Sequence, residues 1–368
     1  MSLTVYSVDL TGLKPGKQFF YRVLLNGSEV FTATAHGRRK KGQDYRFTVV
    51  GDIAANTPGQ RAVAYQMYEA KSDFGVVTGD IVYSRGRIAE YGTKYFPIYN
   101  ADATSKDAGV PLLRSTLMVA APGNHDIAAT NVTDNPDGLA YFYYWKQPLN
   151  GPLKTVGAAS TPILRGDEPD QKAFLTAAGA NYPQMASFSF EYANAHWTVL
   201  DSNKVVDWTE DILLKWLEED LASAAKADWR FVAFHHPGFN SSKAHFNDQW
   251  MRGLAPLFEK YKVDVVFSGH VHNYQRSFPM TFLPGTWSRD IGTYSGSWKL
   301  DKHFDGKQSR RPQGVVYIVT GAGGAGLYNT EQEAQPGSSV VHGQILLDSS
   351  FVHSRRYRGK KSYIPPDF

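Results

Sequence analysis

The chain has 368 residues, of which 42% are hydrophobic and 20% charged, with a net charge of +4. These values fit one large globular domain with or without a smaller attachment. There is no cysteine, which excludes disulfides, thiolate metal sites and cysteine nucleophiles. No apolar stretch approaches the ~20 residues a bilayer span needs. The mildly basic balance suits anionic ligands without indicating nucleic acid. Met1-Ser2-Leu3 runs straight into strand-like sequence, so no signal peptide is expected. The basic runs Arg38 to Lys41 and Arg355 to Lys361 read as a solvated linker and a solvated tail.

In chain order, Thr4–Val8, Phe19–Val23 and Val30–Thr34 read as strands, with a turn at Leu13 to Gly16. Residues 1–36 resemble the last part of a fibronectin-III-like β-sandwich, and 37–43 form a linker to a catalytic domain over 44–368. That domain opens with a strand at Arg46–Val50, a helix around Gln60 to Lys71, and strands at Phe74–Thr78 and Leu117–Ala121. Residues 127–184 lack clear periodicity and are rich in Gly, Pro and Asn, which reads as a long surface excursion near the site. Phe188–Tyr192 and Trp197–Leu200 follow as adjacent strands. Asp207 to Glu210 reads as a capping box for a helix through about Ala225, with Leu213, Leu217 and Leu221 on its core face. Further strands are expected at 230–234, 263–267, 315–319 and 344–347. Interleaved helices and strands predict an α/β (α+β) fold with two packed β-sheets between helix layers, in the order αββα.

Five polar clusters punctuate this domain, most of them directly after an apolar run: Asp52; Asp80 with Tyr83; Asn124-His125-Asp126; His235; and His270 with His272. Strand ends are where such a fold presents its chemistry, and several can converge in space. A mixed set of carboxylate, amide, phenol and imidazole suits iron, zinc or manganese. Two such ions ~3.5–4 Å apart form a clamp for phosphoryl chemistry. Asp80, in the middle of the set, is the natural bridge. Tyr83 can bend back to the first metal, Asn124 can offer a neutral oxygen to the second, and His270-x-His272 can turn one imidazole to each.

The blocks Gly51-Asp52, Gly79-Asp80-Ile81-Val82-Tyr83, Gly123-Asn124-His125-Asp126, Val232-Ala233-Phe234-His235 and Gly269-His270-Val271-His272 resemble those of the purple acid phosphatases. These are a branch of the calcineurin-like metallophosphoesterases. Tyr83 is the narrower signal, since it marks that branch. Asn273-Tyr274-Gln275-Arg276 and the strand and turn from Tyr317 to Gly324 also look like the family, over about residues 44 to 358. The resemblance implies that Asp52, Asp80, Tyr83 and His272 hold Fe(3+), and that Asp80, Asn124, His235 and His270 hold a second divalent metal: Zn, Mn or Fe. It also implies that His125 faces the substrate, with His245 a second candidate for that role. The expected reaction is hydrolysis of phosphate monoesters. A metal-bound hydroxide would attack phosphorus in line, and His125 would assist the leaving group, without a phosphoenzyme. The implied partner is a phosphorylated small molecule, with no stable nucleic-acid partner and no membrane span. The implied location is extracytoplasmic or secreted.

Other readings stand beside this one. A phosphodiesterase of the same superfamily would keep the metal set and act on nucleotide or phospholipid-type diesters. A non-enzymatic metal-binding adhesion protein is the third. His236 is expected on the face opposite His235 by strand alternation. His196, His303, His342 and His353 read as structural or surface histidines. Gly321 to Gly326 formally matches a dinucleotide-binding pattern but reads as a tight turn at a sheet end. Ser115, Ser268 and Ser295 have no nucleophile-elbow or triad context.

Overall fold

A computed structural model describes residues 4–152, 162–305, 307–308 and 311–328, together with the backbone of 355–357. The strands are β1 (Gln18–Leu25), β2 (Ser28–His36), β3 (Tyr45–Val50), β4 (Phe74–Val77), β5 (Leu117–Ala120), β6 (Phe188–Tyr192), β7 (Ala195–Val199), β8 (Trp229–Ala233), β9 (Val265–Ser268), β10 (Tyr274–Arg276), β11 (Met280–Ser288), β12 (Thr293–Leu300), β13 (Val316–Thr320) and β14 (Arg355–Tyr357). One sheet has the order β14-β3-β4-β5 and the other β10-β13-β9-β8-β7-β6. In the first, β3, β4 and β5 run parallel. In the second, β7, β8, β9 and β13 run parallel.

Side chains alternate across each strand, so each sheet feeds two cores. Phe47, Val49 and Val76 of the first sheet meet Trp197, Phe231, Val265, Phe267 and Ile318 of the second, and this cluster fills the space between the sheets. Their neighbours Val50 and Val77 point the other way, toward Ala64 and Met67 of the helix Pro58–Glu69. Val232, Val266 and Tyr317 likewise turn outward, onto Leu213, Leu217 and Leu221 of the helix Asp211–Ser223. The result is the expected α/β four-layer arrangement of two sheets flanked by helices. Each fully buried Val, Leu or Phe in these layers contributes about 1.5–3 kcal/mol.

Several local expectations are revised. Thr4–Val8 forms no strand: Val5, Tyr6 and Val8 lie exposed, and among the described residues no strand pairs with them. β1 and β2 form one hairpin whose Asn26-Gly27 turn has positive φ at both residues, the geometry that matches strand twist. The basic segment after it stays mostly exposed, as expected, but is tethered: Arg38 donates to the Glu191 carbonyl and Arg39 Nε lies 2.6 Å from Asp73 Oδ1. Residues 355–357 of the basic tail pair antiparallel with β3. The rest of that run, and the strand expected at 344–347, lie outside the described residues.

Residues 127–184 are not a surface excursion in their described part. Leu139, Tyr141, Phe142, Trp145, Phe174 and Tyr182 are buried beside Tyr91, Tyr95 and Tyr99. Their aromatic rings supply the apolar area that periodicity failed to reveal. Asp207 caps a turn before the helix rather than the helix itself: its Oδ1 accepts from Thr209 N at 3.0 Å, while the helix begins at Asp211. The β11–β12 hairpin was not anticipated. No helix among the described residues is long and apolar enough to cross a membrane.

Candidate metal centre

The parallel strands of both sheets end at one edge, where loop backbone ties the two sheets together. Gly51 N donates to Thr320 O at 2.9 Å, Asp52 N to Gly79 O at 3.0 Å, and Gly269 N to His235 O at 2.9 Å. Asp52, Asp80 and His270 each adopt positive φ two or three residues past the end of a strand. This left-handed turn is disfavoured for residues with a Cβ, and strained residues of this kind cluster at functional sites.

Asp52 and Asp80 are buried, and with His235 they bring three ligand atoms within 4.8 Å of one another. The Tyr83 hydroxyl donates to Asp52 Oδ1 at 2.9 Å and lies 3.1 Å from His272 Nε2. Asn124 Oδ1 lies 3.1 Å from His235 Nε2, which is also 3.3 Å from Asp80 Oδ1. Sequence-predicted residues from all five clusters therefore meet in one place. His270 faces a neighbouring group: its Nε2 is 3.1 Å from Asp248 Oδ2, and its ring centroid is 3.9 Å from that of His245.

Each imidazole is oriented by its other nitrogen. His235 Nδ1 donates to Thr78 O at 2.8 Å and His272 Nδ1 to Gly326 O at 2.8 Å, so both offer Nε2 to the centre. A carbonyl or carboxylate behind a ring is the usual way a protein fixes the tautomer of a metal-binding histidine. His270 has Asp248 in that position. His125 Nδ1 donates to Ser84 O at 2.6 Å, and its Nε2 stands 3.8 Å from Asp80 Oδ2. His125 is about a third exposed, on the open side of the centre.

The electrostatics are those of a site built for cations. Burial opposes ionisation of Asp80, but His235 and His125 outweigh it and hold the carboxyl well below its usual range. Burial lowers His235, yet Asp80 and Asp52 overcome this and push it up to about 9. Burial, Asp52 and Asp80 together drive the Tyr83 phenol far above its usual value. Among the described residues, no Lys or Arg forms an ion pair with Asp52 or Asp80. Two buried carboxylates beside oriented imidazole lone pairs and a phenol are a donor set suited to first-row metal ions.

Glycines explain the motif spelling. A Cβ on Gly123 would stand 2.2 Å from Asp80 N and 2.3 Å from Asp80 Oδ1. One on Gly79, where φ is +90°, would stand 2.6 Å from His235 Nδ1. Asp126 binds the loops together: it is fully buried and accepts from Gly123 N at 2.8 Å, Ile81 N at 3.1 Å and Val82 N at 3.4 Å. Burial and the Asp80 charge push its carboxyl up to about 7.

His236 does not take the opposite face. β8 ends at Ala233, so strand alternation no longer governs it, and its ring lies 4.4 Å from His270. Ser202 Oγ, 3.0 Å from His236 Nδ1, also accepts from the backbone N–H of His235 and His236. Asp248 and Tyr328 were missed by sequence reasoning. Asp248 Oδ2 is 3.2 Å from His245 Nδ1, and the Tyr328 hydroxyl is 3.2 Å from His245 Nε2. Neither sits in a motif, and only its three-residue spacing from His245 could have marked Asp248. Gly321 to Gly326 packs as a turn beneath the centre, with Ala325 N donating to Asp52 O at 3.0 Å.

Residues 45–274 match the family model for calcineurin-like phosphoesterases. The chain belongs to that family. Its relatives among the calcineurin-like phosphoesterases include purple acid phosphatase 13 of Arabidopsis thaliana, 25% identical over 98% of this chain and 61% of the relative. A phosphoenolpyruvate phosphatase of Allium cepa is 33% identical over 45% of this chain and 32% of its own length. The fold matches the solved purple acid phosphatase from yellow lupin (Lupinus luteus) seeds with a TM-score of 0.55 at 18% identity, covering 90% of this chain and 54% of that one. The chain thus spans less than two thirds of each relative's length.

Proposed function

We propose that this chain hydrolyses phosphate monoesters at a dinuclear metal centre, as a catalytic domain over 44–368 preceded by a β segment over 1–36 and a linker over 37–43. Asp52, Asp80, Tyr83 and His272 hold ferric iron, and Asp80, Asn124, His235 and His270 hold zinc, manganese or ferrous iron. The supporting observation is the half-buried Tyr83 hydroxyl, held between Asp52 Oδ1 at 2.9 Å and His272 Nε2 at 3.1 Å. Ionising a phenol among carboxylates requires a strongly charged cation nearby, which favours a trivalent metal there.

When bound, the metals supply Lewis-acid polarisation of phosphate oxygens and a water of lowered pKa. The protein's own groups do the rest. Asp52 and Asp80 are locked by backbone donors, His270 N at 2.8 Å and His125 N at 2.9 Å, so the centre needs little rearrangement to receive substrate. His125, anchored at Nδ1, presents Nε2–H to the phosphoryl oxygens and passes its proton to the leaving alkoxide. His245, held at Nδ1 by Asp248, supplies a second donor from the side of His270 by turning its Nε2–H from the Tyr328 hydroxyl to the substrate.

The test is metal content and visible absorption of the purified protein, with rates on a monoester and a diester. Iron with a broad mid-visible band that is lost in Tyr83→Phe, and faster monoester turnover, is the expected result. Two zinc or manganese ions without colour, and faster diester turnover, would refute the ferric monoesterase in favour of a diesterase.

A further inference from the structure

Tyr83 and His125 are both tied to one loop, residues 83–87. The Tyr83 hydroxyl meets Asp52 and His272, and the Ser84 carbonyl accepts from His125 Nδ1 at 2.6 Å. The two rings lie side by side, with centroids 4.5 Å apart. The peptide unit that joins Tyr83 to Ser84 therefore links the proposed iron ligand to the anchor of the proposed general acid. Ser84 and Arg85 are exposed. Ordering such a backbone costs about 1–2 kcal/mol per residue, so fixed positions for both rings require contacts from outside the loop.

Glu90 and Lys94, four residues apart, supply those contacts. Ser84 N donates to Glu90 Oε1, and Lys94 Nζ donates to the Tyr83 carbonyl, so both polar groups of that one peptide unit are gripped. The two side chains also pair with each other at 3.3 Å. Glu90 Oε2 accepts from Arg85 N at 3.0 Å and from Arg87 N at 3.1 Å. Capping the short helix Ile88–Glu90 needs only the Arg87 contact. The contacts to Tyr83, Ser84 and Arg85 lie outside that helix and serve the loop. Burial opposes ionisation of Glu90, but the Arg87 and Arg85 N–H groups and Lys94 outweigh it and hold the carboxyl below its usual value. Lys94 sits in a π-helical turn, Tyr91–Tyr95, a form that recurs at functional sites. Its carbonyl accepts from Gln60 Nε2 at 2.8 Å, and Gln60 is fully buried in the helix Pro58–Glu69. The pair is thereby fixed to the helix layer behind the first sheet.

We propose that Glu90 and Lys94 are positioning residues for the reaction: they clamp the Tyr83–Ser84 peptide unit, and so set the Tyr83 phenol toward the metal position and the His125 imidazole toward the substrate. Both act through backbone, Lys94 on the Tyr83 carbonyl and Glu90 on the Ser84 N–H. The inference rests on the monoesterase reading above and adds the residues that hold its phenol and its acid in place. Because one peptide unit serves both rings, loss of either clamp residue displaces the two together.

Glu90→Ala, Glu90→Gln and Lys94→Met are compared with wild type in two measurements. The first is nitrogen NMR of the histidine rings in the full chain with zinc added, at pH 9, with His125 identified by the signals missing from His125→Gln. A carbonyl can only accept, so the Ser84 contact holds His125 as its Nδ1–H tautomer in wild type. Glu90→Ala and Lys94→Met should bring the Nδ1 and Nε2 shifts together, because a released carbonyl no longer selects one tautomer. Glu90→Gln keeps part of the acceptor set and should lie between. The second measurement is turnover of a phosphate monoester by the iron-loaded protein, with its visible spectrum. Glu90→Ala and Lys94→Met should lower kcat roughly 10–100-fold with little change in KM, and should shift the visible band at unchanged iron content. If Glu90→Ala fails to fold, Glu90→Gln and Lys94→Met carry the same test. Wild-type His125 shifts in every folded variant, or averaged shifts with wild-type kcat, would overturn the proposal, and a lower unfolding midpoint alone would not rescue it. If wild type hydrolyses no monoester but the variants average the His125 shifts, the clamp stands and the monoesterase reading fails alone. If wild type turns over the monoester and the variants match it in kcat, band and ring shifts, the clamp fails and that reading stands.

Discussion

Replacing Asp126 tests whether one buried carboxylate holds the centre's loops in register. Its Oδ2 accepts from Gly123 N at 2.8 Å and Ile81 N at 3.2 Å, and its Oδ1 from Ile81 N at 3.1 Å and Val82 N at 3.4 Å. Asp126→Asn and Asp126→Ala both remove the charge, so comparing them isolates the acceptor. The asparagine carbonyl can keep the two Oδ2 contacts, while its amide NH2 takes the place of Oδ1 and cannot accept from Ile81 N or Val82 N. Alanine keeps none and leaves buried N–H groups unpaired. At about 1 kcal/mol per hydrogen bond, the two retained contacts make Asp126→Ala about 2 kcal/mol less stable than Asp126→Asn. The assay is urea unfolding of the metal-free proteins at pH 7. The alanine variant should also bind metal about 10–100-fold more weakly, because Asp80 is no longer fixed relative to Asn124 and His125. Equal unfolding free energies for the two variants would show that Asp126 does not tie the loops and would refute the reasoning.

Three further outcomes are expected. Gly123→Ala should fold but lose bound metal on dialysis, because its methyl group would displace Asp80; full metal retention, read by elemental analysis, would contradict this. His125→Ala should lower kcat by about 10²–10⁴-fold with unchanged metal content, as for loss of a general acid; an unchanged kcat would remove His125 from the reaction. His196 lies between Glu191 at 2.6 Å and Asp220 at 3.0 Å; burial lowers its pKa, but the two carboxylates outweigh this and raise it. A raised folded-state pKa contributes stability that is fully present below the unfolded value near 6.5 and is lost as pH rises through the folded value. The stability gap between wild type and His196→Gln should therefore be larger at pH 5.5 than at pH 9, and a gap independent of pH in chemical denaturation would refute the ion-pair account.

Much of the strand-end architecture was readable because its chemistry is local. A β-branched run that ends in Gly-Asp states both the strand and its terminus, and the glycine records a close approach that excludes any Cβ. The helix Asp211–Ser223 was readable for the same kind of reason, since Leu213, Leu217 and Leu221 recur at helical spacing and are all buried. The described part of 127–184 was misread because its burial comes from single aromatics such as Tyr141, Phe142 and Trp145 rather than from a periodic face.

Sequence alone determined the strands that lead into the centre, the order of the strand-end clusters and the residue chemistry available for metals, all of which depend on neighbours within a few positions. Tertiary structure decided which side chains outside those clusters join the site. Asp248 reaches His270 and His245, Tyr328 reaches His245, and the β11–β12 hairpin roofs a cavity beside them. These contacts join segments far apart in sequence, and their geometry is set by how two sheets and a hairpin pack, for which no local pattern codes.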